Sequence, residues 1–313
     1  MLGHHRHFLL TICATAALFY SIYCVRWQYA FETFLDNLRI TFDDFPPVYA
    51  EALNNSVSRH EQPTDFDYSS TFTQVQIPRI IHYIWFKDLY HGRKGATDIP
   101  SVGSQSPELC RQHNPSYEIQ VWNATRARDF LEAEHEWFLP TYDGYRYPIQ
   151  RIDALKYFIL YHYGGIYMDL DIACRRPLDP LLDFPAWFPE ASPLGVNNDL
   201  MACTKRHLIM KRMIQSLAKH DRYLLFPYIT IFWSTGPQFT SNVLREWYKS
   251  RSKEQVAARA RGKHKALETF VILPQVFYSE EYTFFGHSPG GTWHGSDVAM
   301  VLCHTFRGNS LLC

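Results

Sequence analysis

The apolar residues of this chain form short runs that alternate with amphipathic stretches. The run "IPRIIHYIWF" (77–86) is nearly continuous and enters through a proline, which predicts a buried parallel strand. The pattern then predicts a helix near 104–113, a strand over 117–122 and a helix from about 124. Because strands and helices alternate, we expect an α/β fold with a mostly parallel sheet.

The middle of the chain carries the sharpest periodicity. Residues 150–163 place Ile152, Leu155 and Ile159 on one side at helical spacing, which predicts an amphipathic helix. A Gly-Gly pair then ends this helix, since glycine favours the left-handed conformation found at helix C-termini. The apolar segment "IYMDLDI" (166–172) follows and predicts another strand.

Four segments follow this strand. "LGVNNDLMA" (194–202) predicts a strand and a turn, and 206–219 predicts a helix. "LLFPYITIFW" (224–233) is very apolar but shorter than a bilayer span, so we expect a buried strand. The strongly basic run 249–265 predicts a solvated helix or loop, with contact to anionic lipid as the alternative.

The N-terminal segment 8–25 contains no charge, proline or glycine. At about 1.5 Å per residue such a helix spans roughly 27 Å, close to the ~30 Å hydrocarbon core, so we expect a membrane anchor. A cleaved signal peptide and a buried core helix are the alternatives. Small residues at 14–16 fit a cleavage site, but the apolar run continues past them. Arg6 precedes the segment and Arg26 follows it, so the positive-inside rule gives no orientation.

The segment after the anchor has two parts. Apolar side chains at helical spacing over 31–42 predict a short amphipathic helix suited to a bilayer surface. The polar residues 46–76 begin with two prolines and predict a stem. The expected organisation is therefore a membrane anchor over 1–30, an amphipathic helix and stem over 31–76, and a globular domain over 77–313.

Composition changes this picture little. The chain has 313 residues, no formal net charge and 46% apolar residues, which suits a globular domain and gives no argument for nucleic acid as a partner. Its seven cysteines show no CxxC spacing, so no zinc site is predicted, while one or two disulfides would fit a secretory compartment. Glycosylation sequons at Asn54 and Asn123 are compatible with a lumenal body.

Two carboxylates lie at the end of the central strand. Because alternate strand residues point to the same side, we expect Asp169 and Asp171 to project together. The carboxyl ends of strands are where open α/β sheets bind ligands. Hard oxygen donors suit Mg²⁺ or Mn²⁺, which complete their coordination with water and substrate phosphates. The pattern therefore predicts a metal site for a nucleoside diphosphate or a similar group.

The D-x-D spacing by itself is weak evidence, since a chain of this length contains roughly one by chance. A second pair, Asp65 and Asp67, follows no predicted strand and is assigned to chance. A dehalogenase-like phosphatase would carry the motif in its first strand, with Thr or Val two residues after the second Asp. Here that position is Ala173, and several elements precede it. The helix, Gly-Gly pair and apolar strand before Asp169 are what distinguish this pair.

The residues around the aspartate pair resemble a known family of enzymes. "RIDALKYFILYHYGGIYMDLDI", preceded by "IPRIIHYIWF", resembles the glycosyltransferases with a DXD sugar-binding motif. Within that group, "LGVNNDLMA", "PYITIFWSTGPQF" and "TWHGSDVAM" resemble the fungal mannosyl phosphorylinositol ceramide synthases. The resemblance covers roughly residues 77–300. It implies a GT-A fold, a GDP-mannose donor and a divalent metal, Mn²⁺ or Mg²⁺.

The resemblance also implies roles for individual residues. Asp169 would contact the ribose and the metal, and Asp171 would ligate the metal. Trp85 matches an aromatic residue that stacks on the nucleotide base, with core packing as the alternative. Asp153 matches an acid that holds the donor hexose. Lys156 stands where the family usually has arginine and would bind the diphosphate; the alternative is a helix ion pair with Asp153.

Four further residues complete the predicted site. His294, in "TWHG", lies where GT-A enzymes often place a histidine that completes the metal or diphosphate site. Asn198 and Asp199 would meet the hexose or the acceptor, with an Asx turn as the alternative. Arg151 is a candidate substrate ligand or a solvated residue at the helix end. Among all these residues, we expect catalytic roles for Asp153, Lys156 and Asp199.

The resemblance implies a mannosyltransferase that moves mannose from GDP-mannose to inositol phosphorylceramide. It also implies a regulatory membrane subunit as a partner. The expected location is a Golgi or endoplasmic reticulum membrane, with a single span and a lumenal catalytic domain. Two alternatives stay open: an α-1,6-mannosyltransferase that acts on N-glycans, and a non-catalytic paralogue that binds nucleotide or a partner.

Overall fold

The structure of the protein is a computed structural model. It describes residues 2–60, 66–73, 75–86, 106–191, 195–260, 269–278 and 283–287. Within the described helices, the side chains of residues 2–10, 12, 13, 17, 24 and 252–260 lie outside the description. The chain divides into two compact units, Met1–Leu38 and Arg39–Cys313.

The first unit is a single helix, α1 (Leu2–Leu38). Its last turns contain the amphipathic segment predicted after the anchor. Phe31, Phe34, Leu35 and Leu38 are buried there, and contact of this segment with a bilayer surface stays a prediction. Within the described part of the chain, which leaves out the side chains of 2–10, no helix is both long enough and apolar enough to cross a membrane.

The second unit begins with packed helices where we expected a polar stem. A 3₁₀ turn (Phe42–Asp44) leads into α2 (Pro47–Arg59), and α3 (Tyr68–Thr71) follows. Phe45, Tyr49 and Leu53 recur every four residues and form one apolar stripe. All three are buried in the main hydrophobic cluster of this unit. The stem prediction is therefore wrong for these residues, because that stripe outweighs their polar neighbours.

A six-stranded sheet in the order β2-β1-β3-β6-β5-β7 forms the centre of the second unit. Strand β6 runs antiparallel to both of its neighbours, and the other neighbouring pairs are parallel. A separate two-stranded sheet pairs β4 with β8. The strands are β1 (Ile80–Ile84), β2 (Glu118–Trp122), β3 (Gly165–Met168), β4 (Ile172–Cys174), β5 (Ala186–Pro189), β6 (Leu200–Cys203), β7 (Val271–Leu273) and β8 (Phe285–His287). This confirms an α/β fold with a mostly parallel sheet.

Helices connect these strands. The helices expected near 104–113, from 124, over 150–163 and over 206–219 are all present. In chain order they and their neighbours are α4 (Glu108–His113), α5 (Ala124–His135), α6 (Leu139–Gly144), α7 (Pro148–Tyr163), α8 (Leu208–His220), α9 (Pro227–Ser234), α10 (Pro237–Ala260) and α11 (Gln275–Tyr278). The basic run 249–265 lies on α10 as far as residue 260 and then leaves the described residues.

The prediction of a buried strand over 224–233 is wrong, because this segment contains α9. An amide hydrogen at the first helical position has no acceptor within the helix, so proline, which lacks that hydrogen, costs nothing there. Its fixed φ also suits a helix start, so Pro227 favours this helix. The first backbone bond of the helix runs from Thr230 N to Phe226 O (2.9 Å). Short apolar runs do not distinguish strand from helix by periodicity.

The Gly-Gly pair joins α7 to β3 through a close backbone approach. Gly164 and Gly165 have φ values of +68° and +95°. A Cβ atom on Gly165 would lie 2.6 Å from Ile80 O, and one on Gly164 would lie 2.6 Å from Lys205 N. Only glycine avoids both the strained φ and these clashes. The pair therefore sets how closely β3 enters beside β1.

A disulfide joins Cys110 on α4 to Cys174 on β4. This confirms the expectation of a disulfide, and the sequence had left its pairing open. The bridge lies three residues after Asp171, so it fixes one end of the segment that carries the aspartate pair. Cys203 is a free, buried thiol on β6.

Candidate active site

The aspartate pair lies in a turn directly after β3. The strand ends at Met168, and a backbone hydrogen bond from Ile172 N to Asp169 O (3.1 Å) closes the turn. Asp169 and Asp171 therefore do not alternate along a strand, and our argument from strand periodicity is wrong because the strand stops one residue too early. Since β6 is antiparallel, its first residues lie beside the last residues of β3. Asp169 N donates to Asp199 O at 2.8 Å, which brings the third acid to the pair.

Lys156 on α7 is the cation of this cluster. Its Nζ lies 3.0 Å from Asp153 Oδ1 and 3.3 Å from Asp169 Oδ1, and its side chain is only 4% exposed. The ammonium also lies 4.8 Å from the centre of the Tyr167 ring. Burial alone would lower the pKa of Lys156, but the charges of Asp169 and Asp153 outweigh burial and hold it well above its ordinary value. The predicted helix ion pair therefore exists, and the same lysine also reaches the aspartate turn.

Asp153 is buried, and both of its carboxylate oxygens accept hydrogen bonds. Asn198 Nδ2 donates to Oδ1 at 3.2 Å, and Thr235 Oγ1 donates to Oδ2 at 3.2 Å. Asn198 also donates to Tyr157 Oη at 3.3 Å and to Thr235 O at 3.3 Å. Burial raises the pKa of Asp153, and Lys156 partly offsets that effect. The network holds α7, the segment before β6 and the end of α9 in one arrangement.

Asp199 is the most perturbed acid of the cluster. Burial, followed by the charge of Asp169, raises its pKa to about 7. Its Oδ2 accepts from the Tyr278 hydroxyl and from Asn197 Nδ2, the latter at 3.2 Å. Its Oδ1 is buried and accepts no hydrogen bond from the residues that the structure describes. Asp199 therefore has one carboxylate oxygen in a fixed position that receives no hydrogen bond from the described residues.

Asp171 shows the same two effects to a smaller extent. Burial raises its pKa to about 6, with the charge of Asp169 as the next cause. Because the charge of Asp169 raises the pKa of Asp171, the two carboxylates lie close enough to repel each other. Such an arrangement binds a cation more strongly than an isolated carboxylate does.

These observations test whether the residues fit a divalent metal. The carboxylates of Asp153, Asp169, Asp171 and Asp199 outnumber the single lysine, and the free oxygen of Asp199 adds a hard donor. Mg²⁺ is usually bound through one or two carboxylates, with water and phosphate in its other positions. Among the described residues, no group of three or more His, Cys, Asp or Glu side chains is arranged to hold a metal. The residues thus fit a cation that the substrate helps to bind.

The remaining predicted residues lie around this cluster or outside the description. Trp85 is half-buried just beyond β1, at the same end of the sheet as Asp169. The Arg151 guanidinium donates to the backbone oxygens of Tyr142 (3.1 Å) and Tyr145 (3.2 Å), so it fastens the α6 segment to α7. The structure does not bring Arg151 into the acid cluster. His294 lies outside the described residues.

Three residues that were not predicted hold acids of the cluster through a hydroxyl group. They are Tyr167, whose hydroxyl donates to Asp169; Thr235, which holds Asp153; and Tyr278, which holds Asp199. Thr235 directly follows α9, and Tyr278 is the last residue of α11. Both are far along the chain from Asp153 and Asp199, the acids that they hold. No local pattern in the sequence marks them, because their roles come from long-range packing. Tyr167 alternates with the buried Ile166 and Met168, which predicts only a strand.

A surface groove of about 510 Å³ lies elsewhere on the molecule. Trp122, Asn123, Arg126 and Tyr163 line it, and none of the predicted site residues that the structure describes does. The Arg126 guanidinium lies 3.9 Å from the centre of the Trp122 ring, at the start of α5. The groove lacks the clustered acids found after β3, so we place the candidate site at the acids.

A comparison with known protein families matches the part of the chain that carries the acid cluster. Residues 100–187 match the family described as "Glycosyltransferase sugar-binding region containing DXD motif". This match includes α7, the Gly-Gly pair and the aspartate turn, which carry Asp153, Lys156, Asp169 and Asp171.

Three curated fungal proteins resemble a larger part of the chain. "Mannosyl phosphorylinositol ceramide synthase SUR1" of Saccharomyces cerevisiae is 36% identical over 72% of this chain and 54% of its own length. "Inositol phosphoceramide mannosyltransferase 3" of Schizosaccharomyces pombe is 36% identical over 72% of this chain and 58% of its own length. "Mannosyl phosphorylinositol ceramide synthase CSH1" of Saccharomyces cerevisiae is 36% identical over 88% of this chain and 69% of its own length. The chain spans little more than half the length of the first two.

Proposed function

The chain belongs to the family of DXD-motif glycosyltransferases that includes these fungal ceramide mannosyltransferases, and we propose that it transfers mannose from GDP-mannose to inositol phosphorylceramide. The observation that carries this proposal is the acid cluster at the end of β3. It combines one buried lysine with several acids beside the family's aspartate turn. The mostly parallel sheet with this turn at a strand end also supports the proposed GT-A assignment.

The reaction breaks a bond between a sugar and a phosphate, so the leaving diphosphate gains negative charge. Lys156 would neutralise part of that charge, because its ammonium is held at a fixed position by Asp153 and Asp169. Preorganised charge costs little reorganisation when the bond breaks. Tyr167 supports this arrangement by donating to the Asp169 carboxylate.

The surplus of acids would repel a bare diphosphate. A divalent cation, Mn²⁺ or Mg²⁺, bound by Asp171 and Asp169 would supply Lewis-acid neutralisation of the diphosphate. Asp199 Oδ1 is a further oxygen donor available at the same edge of the sheet.

The sugar side of the site would use the buried network. As the bond breaks, the sugar ring gains positive charge, which a nearby carboxylate stabilises. Asp153 and Asp199 would take this role, and Asn198 and Thr235 hold Asp153 in one orientation, which supports it. Trp85, at the end of β1, would contact the nucleotide base.

We also propose a single-pass Golgi membrane protein with a lumenal catalytic domain and a regulatory membrane subunit as a partner. The apolar, uncharged segment 8–25 supports the anchor. The Cys110–Cys174 disulfide supports a lumenal domain, because disulfides persist in oxidising compartments.

The proposed function is tested by labelled transfer. Membranes that contain the full chain are incubated with radiolabelled GDP-mannose and inositol phosphorylceramide. We expect a labelled lipid product that falls by about tenfold or more with Asp171→Asn, since even indirect loss of metal support costs 10–100-fold. Asp129→Asn is the matched control, because that aspartate is exposed on α5 and its loss leaves the cluster intact.

Each outcome separates the competing functions. Label found only in N-glycans would support the α-1,6-mannosyltransferase instead. Donor binding without transfer to either acceptor would support the non-catalytic paralogue. Full transfer by Asp171→Asn would rule out the assigned role of the aspartate turn.

A further inference from the structure

The loop between α8 and α9 presents an unusual run of exposed apolar residues. Five of the seven large apolar side chains exposed in the described part of the second unit lie between 223 and 233. They are Tyr223, Leu224, Leu225, Phe226 and Trp233. Soluble surfaces rarely concentrate apolar residues in this way, and such patches mark protein or membrane contacts. We call residues 223–226 together with Trp233 the apolar loop surface.

The loop is ordered around an uncommon backbone conformation. Leu225 has a φ of +62°, a left-handed conformation that leucine rarely adopts, and it is 76% exposed. The Tyr223 hydroxyl donates to Leu225 O (2.8 Å), and Leu224 N donates to Thr230 Oγ1 (3.0 Å). These bonds hold Leu225 outward at an energetic cost, which is a pattern found at functional sites.

The loop is connected to the candidate active site at both ends. Helix α9 follows it, and Ser234 Oγ accepts from Gln150 Nε2 (2.8 Å) on α7. The next residue, Thr235, holds Asp153. At the other end, the Arg146 guanidinium, just before α7, lies 4.2 Å from the centre of the Tyr223 ring. Helix α7, which carries Asp153 and Lys156, and the segment just before it therefore also contact the elements at both ends of the loop.

We propose that the apolar loop surface inserts into the bilayer that contains the lipid acceptor, and so brings the acceptor headgroup to the site. This inference rests on the proposed function. The headgroup layer of a bilayer is only about 5–8 Å thick on each side, so a site that acts on a lipid headgroup must lie against the membrane. Tyrosine and tryptophan suit the interface between headgroups and acyl chains, and Arg146 suits anionic lipid.

The chemistry of the surface favours a bilayer over a protein partner. Four consecutive apolar side chains on one projecting loop enter a fluid phase without needing a complementary partner surface. Leucine and phenylalanine supply the insertion energy, while the aromatic rings and arginine stay near the polar layer. A second copy of this chain, or another protein, is the competing occupant.

The transfer rates to a membrane acceptor and to a soluble acceptor, measured side by side, test the proposal. The full chain carrying Leu225→Asn and Trp233→Gln is compared with wild type on inositol phosphorylceramide in vesicles and on a soluble inositol phosphodiester. Asparagine tolerates the left-handed conformation, so the loop backbone is retained. We expect the vesicle rate to fall by about tenfold, the scale set by losing one buried leucine, while the soluble rate stays within about twofold. Val48→Asn is the matched control, since Val48 is 71% exposed on α2.

A second measurement does not depend on activity. Leu225→p-benzoylphenylalanine is irradiated in membranes, and we expect it to crosslink to lipid, while the same substitution at Val48 does not. The proposal is overturned if both rates fall equally or if neither rate changes. It is also overturned if position 225 crosslinks to protein and the two substitutions reduce self-association of the chain. If wild type labels neither acceptor while position 225 still crosslinks to lipid, the proposed function fails and the membrane contact stands.

Discussion

Lys156 offsets part of the negative charge of the acids in the candidate site. It replaces the arginine that the resemblance leads one to expect, and it lacks the two-pronged geometry with which arginine binds phosphate. Its ammonium nevertheless reaches both Asp153 and Asp169. A compact point charge suits this position, because its two partners approach from different elements.

Replacing Lys156 separates its roles in stability and in catalysis. Lys156→Met leaves the buried Asp153 and the partly exposed Asp169 without a cation. We therefore expect a loss of about 3–5 kcal/mol in the free energy of unfolding, mostly from Asp153, and no detectable transfer. Adding Asp153→Asn to Lys156→Met removes one uncompensated charge and should recover much of the stability but none of the transfer. Thermal unfolding and the labelled transfer assay measure the two effects. Unchanged stability of Lys156→Met would contradict the central position of this lysine.

Asp199 makes stability depend on pH. Its pKa rises from 3.8 to about 7 in the folded chain, so folding takes up a proton between these values. The contribution of this proton uptake to the free energy of unfolding is complete below pH 3.8 and is lost as the pH rises to about 7. Without metal or donor, we expect the unfolding temperature of wild type to fall more steeply between about pH 5 and 7 than that of Asp199→Asn.

The comparison is made by thermal unfolding in the presence of a chelator. Asp171 remains in both proteins, and its charge is one of the causes that raise the pKa of Asp199, so the difference between the curves reports Asp199 titrating beside Asp171. Asp129→Asn, an exposed aspartate outside the cluster, should give a curve parallel to that of wild type. Parallel curves for wild type and Asp199→Asn would mean that Asp199 is ionised normally in the folded chain.

Among the elements, the junction of α7 and β3 is the least tolerant of change. Gly165→Ala would place a methyl group 2.6 Å from Ile80 O at a φ of +95°, so β3 would have to move away from β1. We expect a loss of at least about 2 kcal/mol and a strong loss of transfer, because Lys156 lies on α7 and Asp169 directly follows β3. Thermal unfolding and transfer report both effects.

Gly144→Ala is the matched control for this junction. No atom lies within 4 Å of the Cβ that it would add, at the end of α6. We expect it to be neutral or slightly stabilising, since alanine restricts the unfolded chain more than glycine does. A comparable loss in both alanine variants would show that the close approach to Ile80 does not limit the fold.

The elements also show where sequence patterns succeed and where they stop. The strand at Ile80–Ile84 and the helix at Pro148–Tyr163 were predictable because each has one strong period and clear boundaries. The apolar run at 224–233 has no such period, so its length suggested a strand while Pro227 started a helix. At the site, the aspartate pair was marked by its D-x-D spacing after an apolar strand, although it lies in a turn, and Asp153 and Lys156 were marked by the family resemblance. Thr235 and Tyr278 were not, since distant packing brings them to Asp153 and Asp199.

For the whole molecule, the two sequons report which side of a membrane the second unit occupies. Asn123 is exposed and caps α5, with its Oδ1 accepting from Arg126 N at 2.8 Å. A glycan attaches to the side-chain nitrogen and leaves that bond intact. If the unit is lumenal, we expect endoglycosidase to increase gel mobility, and Asn123→Gln to abolish at least part of the shift. Absence of glycan on both Asn123 and the exposed Asn54 would remove this support for a lumenal location.

The Cys110–Cys174 bridge also makes a closed covalent ring of the chain between these two residues. The ring contains β2, α5, α6, α7 and β3, and hence both Lys156 and Asp169. A single protease cut at an exposed site in the ring, such as Arg128 on α5, would release no fragment from the oxidised protein. The two pieces would separate only after reduction. Gels run with and without reductant can therefore show whether the segment that carries the site was cut inside or outside the ring.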